Sequence, residues 1–145
     1  MTLRPALLVA APRFAVLLLA ALTAPVQADP LLTAEEFDAL TLGRTMTWAD
    51  YGQVYGVEQY LPDHRVRWTE LGDDCKLGHW YQDGDAICFL YEDDYLGDPT
   101  PACWQISLSG SGMQAHYLSD PPETEPVLVE ETNESMPCFG PEVGA

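Results

Sequence analysis

A chain of 145 residues with 6 basic and 23 acidic side chains carries a net charge of −17 at pH 7. A body this negative repels nucleic acid and anionic membrane surfaces, which excludes both as partners. The length suits one small domain, and four Trp, seven Tyr and four Phe supply large side chains for its core.

In chain order, the first element is a secretory signal. Arg4 and Arg13 supply positive charge, residues 14–22 (FAVLLLAAL) form an unbroken apolar run, and Val26-Gln27-Ala28 places small residues before a cleavage point at Asp29. Arg13 leaves the run too short to span a bilayer, so residues 1–28 read as a removed signal with no membrane span left behind. Loss of Arg4 and Arg13 would leave four basic residues against 23 acidic ones, a net charge of −19. The expected location is the periplasm or the outside of the cell.

Next comes a short helix. Thr33 is placed as N-cap, Glu36 completes a capping box, and Leu32 and Phe37 occupy the two positions of a hydrophobic staple. Gly43 is the natural stop. This helix is expected to plug one end or edge of a sheet.

From Arg44 onward the hydrophobic period changes to 2. Met46 and Trp48 alternate with Thr45 and Thr47, and Val66 and Trp68 alternate with Arg65 and Arg67, so the cations point outward. Residues 54–60 mix branched and aromatic types beside Gly52 and Gly56, the pattern of a bent or bulged strand. Further strands are expected at 77–82, 86–91, 103–108 and 114–118. Between them stand turn residues such as Pro62-Asp63, Asp83-Gly84 and Gly110-Ser111-Gly112. The fold class is therefore mainly β: a curled antiparallel meander or small barrel-like sheet, with one short N-terminal helix and disulfide staples. The β-rich domain is drawn at 29–119. Residues 120–145 read as an acidic, Pro-rich, partly disordered tail, in which 127–129 could add one edge strand.

Cys75, Cys88, Cys103 and Cys138 make an even count with no C-x-x-C pair, which in an exported small domain points to two structural disulfides. Three pairings are possible, and spacing does not choose among them.

The order Cys75-x-x-Gly78-x-Trp80, then Ile87-Cys88-Phe89-x-Tyr91, then Cys103-Trp104 resembles a group of small exported bacterial proteins classed as a domain of unknown function. The resemblance covers about 70 residues, and Cys138 lies outside it. It implies a secreted, disulfide-containing β-rich domain and carries over no catalytic residue.

The residues for chemistry are few. Glu58 shares a strand face with Gly56 and Tyr60. If that face points inward, a buried carboxylate needs a partner, and Arg44, Arg65 or Arg67 is the expected one. Glu58, Tyr60 and Trp68 are the candidate ligand-binding residues of an interior site. Trp68, Trp80 and Trp104 read as core side chains ahead of a ligand cage. His64, His79 and His116 stand singly, no zinc or EF-hand ligand register occurs, and no nucleophile motif appears. No metal, cofactor or catalytic set is assigned. The expected function is a secreted module that binds an unknown small molecule or envelope protein, or serves a structural role. The alternative is an envelope enzyme or protein inhibitor acting through the acidic 92–98 loop.

Overall fold

A computed structural model describes residues 28–92, 100–110 and 112–138. The signal segment before Ala28, most of the acidic 92–98 loop and the last seven residues lie outside the described residues. The architecture is one helix, α1 (Ala34–Thr41), followed by eight strands: β1 (Thr45–Asp50), β2 (Gln53–Leu61), β3 (Arg65–Glu70), β4 (Lys76–Asp83), β5 (Ala86–Tyr91), β6 (Ala102–Ser109), β7 (Gly112–Tyr117) and β8 (Val127–Thr132). Each strand pairs antiparallel with the next, and β8 pairs with β1, so the meander closes into a barrel. Closure removes both sheet edges, and eight strands give an interior just wide enough to be filled by side chains or to hold one small ligand.

The helix begins as the capping residues require. The Thr33 hydroxyl accepts from the Glu36 amide, and the Glu36 carboxylate accepts from the Thr33 amide at 2.9 Å. Phe37 is fully buried and meets Tyr60, Trp80 and Phe89 edge-on, with ring centroids 5.0–6.2 Å apart. It thereby stoppers the barrel end at which β2 finishes and β3 starts. Gly43, at φ +76°, turns the chain out of the helix and donates to the Tyr60 carbonyl. A side chain rarely adopts that conformation, so the entry into β1 depends on this glycine. Replacing Thr33 by Ala removes the cap and is expected to cost about 1 kcal/mol in a denaturant titration.

Alternation along the strands sorts the side chains. Met46 and Trp48 of β1, Glu58 and Tyr60 of β2, Trp80 of β4, Ile87 and Phe89 of β5, Ile106 of β6, Met113 and Ala115 of β7 and Val129 of β8 are all buried. The bend expected in β2 is a β-bulge. Trp48 lies opposite Gly56 whereas Ala49 lies opposite Val54, leaving Tyr55 as the extra residue.

One feature departs from the sequence reading. Val127–Thr132 is not an edge addition to a loose tail: β8 sits between β7 and β1 and closes the barrel, so the β structure continues past residue 119. The physical reason is that Val127 and Val129 face inward against Ala115 and Met113, while Leu128 and Glu130 stay outside. The chain after β8 returns along the outer wall, and Cys138 bonds to Cys75 in the β3–β4 connection. The second disulfide joins Cys88 to Cys103, which face each other across β5 and β6. Two disulfides fit an oxidising compartment. No helix among the described residues is long and apolar enough to cross a membrane.

Candidate functional site

With α1 filling one end of the barrel, the opposite end is where an opening remains. There the end of β1, the start of β2, the ends of β3 and β5 and the start of β6 surround a cavity of about 190 Å3. Its lining is Trp48, Tyr55, Trp68, Phe89 and Trp104, with Glu58 and Tyr91 among them and Glu70 and Ala102 at the rim. At about 30 Å3 of liquid volume per water, this is room for about six waters or a ligand of similar bulk.

Glu58 is 1 % exposed, and the structure shows how its carboxyl is held. The Tyr60 hydroxyl donates to Oε2 at 2.7 Å, and the Tyr91 hydroxyl donates to Oε1 at 2.7 Å. Tyr60 comes from two positions along the same strand face, whereas Tyr91 reaches across from β5. Burial pushes the Glu58 carboxyl up from 4.5 to about 7, against the pull of the two phenols toward the ionised form. Burial also drives the Tyr60 phenol well above its ordinary range, and the carboxylate beside it adds to that.

An arginine partner for Glu58 was the expectation, and the structure replaces it with two tyrosines. Arg65 and Arg67 alternate with the inward-facing Val66 and Trp68, so the strand's parity keeps both outside. Arg44 is likewise on the outer surface, paired with Glu131 at 2.7 Å. Arg67 instead lines an outer groove beneath residues 131–136, with its Nε buried and unpartnered. Among the described residues no cationic side chain contributes to the state of Glu58.

Two glycines make this arrangement possible by lacking a side chain. A Cβ on Gly56 would overlap the Cη2 edge of the Trp68 indole. A Cβ on Gly78 would lie 2.7 Å from Tyr91 Cδ1, and Gly78 is the residue paired with Tyr91 across β4 and β5. Gly78 therefore frees the room through which Tyr91 passes to Glu58. Gly78→Ala is expected to displace Tyr91, seen as a changed near-ultraviolet aromatic spectrum with the far-ultraviolet β signal retained.

The aromatic walls meet nearly at right angles. Trp48 stands at 89° to Trp68 and to Phe89, and its ring centroid is 5.2 Å from that of Trp104. Trp48 Nε1 is buried without a hydrogen-bond partner among the described residues. At the rim, Tyr55 is pushed up to about 12, chiefly by burial and then by the carboxylates Asp50, Glu58 and Glu70. That sum of charges marks the mouth as electronegative.

Of the three residues singled out in the sequence, Glu58 and Trp68 line the cavity. Tyr60 is buried behind Glu58 as its hydrogen-bond donor. Trp80 belongs to the core beside Phe37. Trp68 and Trp104 are partly buried, pack against that core and also form cavity walls; of the two, the sequence reading gives only Trp104 as core alone. Trp48, Tyr55 and Tyr91 were not singled out. Their contribution depends on barrel curvature, although the inward parity of Trp48 was visible. The histidines stay dispersed, with His64 stacked on Trp80 at a centroid distance of 3.9 Å. Compared with family models, with curated proteins and with solved structures, the chain matches none of them.

Proposed function

We propose that this is an exported small-ligand-binding barrel, acting in the periplasm or outside the cell, with its site in the open-end cavity over Glu58. The observation that carries the reading is a carboxyl held at the inner wall of an aromatic cavity whose lining, among the described residues, contains no cationic side chain. Structural barrels gain by filling such space, because an unfilled volume forfeits packing and a buried ionisable group without a counter-charge costs stability. Both costs are expected where a site is kept for something else. The two disulfides and the signal-like first 28 residues support the exported setting. The loop reading of an enzyme or inhibitor rests on residues 92–98, all of which but Glu92 lie outside the described residues, and nothing in the described geometry adds to it.

The test compares the protein purified from its natural compartment with an Ala102→Phe variant, both by mass spectrometry under native conditions. Ala102 lies at the rim and is partly exposed, so a larger ring there obstructs the mouth without entering the core. A small removable mass carried by the wild type and lost from the variant, at unchanged thermal midpoint, is the expected result. Wild-type protein that is bare after gentle isolation, and that gains no mass from a small-metabolite extract, would overturn the reading.

A further inference from the structure

We infer that the ligand is a small organic monocation, an alkylammonium whose charge faces Glu58 and whose alkyl groups rest on Trp48, Trp68 and Trp104. This inference names the ligand class for the cavity reading above and rests on it.

Charge balance is the first argument. Ionised Glu58 would be a negative charge 1 % exposed, hydrogen-bonded by two neutral phenols, with Arg65 and Arg67 held outside by strand parity, Arg44 paired with Glu131 on the outer surface, and Lys76, the register partner of Trp68, outside the cavity lining and not acting on Glu58. A cation delivered by a ligand compensates it, and each carboxylate oxygen retains capacity for a second hydrogen bond. The walls are the second argument. Three indoles, a phenyl and two phenol rings enclose the space, several of them mutually perpendicular, and aromatic faces attract ammonium groups more strongly once water is excluded. Third, the mouth carries Glu70, with Asp50 acting on the same Tyr55, and so draws cations toward the opening.

The same geometry argues against other classes. An anion would meet Glu58, Glu70 and Asp50. A hard metal ion seeks about six oxygen ligands, and no group of three or more His, Cys, Asp or Glu among the described residues could hold one. The volume of about 190 Å3 admits a tetramethylammonium-sized ion and falls below the range of drug-sized pockets.

Binding should depend on pH through Glu58. The titratable groups around it are Tyr60 on its own strand, Tyr91 from β5 and Tyr55 at the mouth, with Asp50 and Glu70 beyond. Its paired neighbours Met46 on β1 and Trp68 on β3 bear no charge. An ammonium therefore binds better as Glu58 loses its proton, by about tenfold between pH 6 and pH 8 for a carboxyl at about 7.

The experiment titrates the disulfide-bonded protein with tetramethylammonium chloride, following tryptophan fluorescence at constant ionic strength held with sodium chloride. A parallel titration uses tert-butanol, a neutral molecule of similar shape. At pH 8, saturable binding of tetramethylammonium at least tenfold tighter than that of tert-butanol is expected, with at least tenfold loss in Glu58→Gln. The two wild-type titrations decide the matter even if that variant were to misfold. Equal binding of the two probes would overturn the cation class while leaving a cavity that binds small molecules. No response to either at 100 mM would overturn the class and the cavity reading together.

Discussion

Between pH 4.5 and pH 8, the wild-type protein is expected to lose about 3 kcal/mol of stability that a Glu58→Gln variant keeps, at about 1.4 kcal/mol per pH unit of displacement. The sign follows from the direction of the Glu58 change. Its folded-state value is raised from 4.5 to about 7, so the folded protein holds its proton over a range in which the unfolded chain has released it. Below pH 4.5 both states are protonated, and the carboxyl favours neither. From there to about 7 each step upward favours the unfolded chain, and above that the loss is complete. Other carboxylates also repel one another as pH rises, which is why the difference between wild type and variant is the quantity to read. For a domain of this size the effect corresponds to a separation of the two melting curves on the order of 10 °C at pH 8. Glutamine should keep both tyrosine contacts, since its carbonyl accepts from one phenol and its amide donates to the other. Parallel curves would mean that water or a cation already reaches the carboxyl. A variant more stable than its parent at pH 8 is the behaviour of a group kept for binding at the expense of stability.

Reduction is expected to have an effect of at least equal size. The Cys75–Cys138 bridge spans 63 positions and the Cys88–Cys103 bridge 15. In the chain-entropy model these lengths correspond to about 4 and about 3 kcal/mol of restriction on the unfolded ensemble. Together they rival the roughly 5–15 kcal/mol that holds a typical domain. Full reduction should therefore lower the melting temperature by tens of degrees or abolish the transition at 37 °C. The paired variant Cys75→Ser with Cys138→Ser should lose more than Cys88→Ser with Cys103→Ser. It frees the return segment that covers the outer wall at Arg44, Gln59 and Arg67. A melting temperature insensitive to reductant would contradict a structural role for both bridges.

Much of this architecture was legible because local chemistry and global fold agree. Thr33, Glu36 and Phe37 specify a capped, stapled helix without reference to anything distant, and the helix forms there. Period-2 alternation and turn residues located the strands, and the glycines around residue 54 announced the bulge. Glu58 was found by strand parity alone. What parity could not supply was distance across the barrel. Tyr91 lies 33 positions from Glu58, and only the curvature of β2 to β5 brings its hydroxyl to the carboxyl. The same parity that drew notice to Glu58 excluded its expected arginine, since Arg65 and Arg67 must point away if Val66 and Trp68 point in. β8 reads in the sequence only as an edge strand at 127–129, because its inward signal consists of Val127 and Val129 after a proline-acid stretch, and barrel closure leaves no local mark in a sequence. The cysteine pairing was hidden for a similar reason: Cys138 finds Cys75 only after β8 has closed the wall.

The most direct measurement is the titration of the Glu58 side-chain carboxyl by 13C nuclear magnetic resonance, with the resonance assigned by its loss in Glu58→Gln. A buried carboxyl with two phenol donors, on which no cation among the described residues acts, should titrate near 7, well away from the ordinary 4.5. Tetramethylammonium should shift that midpoint downward, because the bound cation favours the carboxylate. A midpoint near 4.5 that does not respond to the cation would show a solvated or already compensated carboxyl and contradict the account of this cavity.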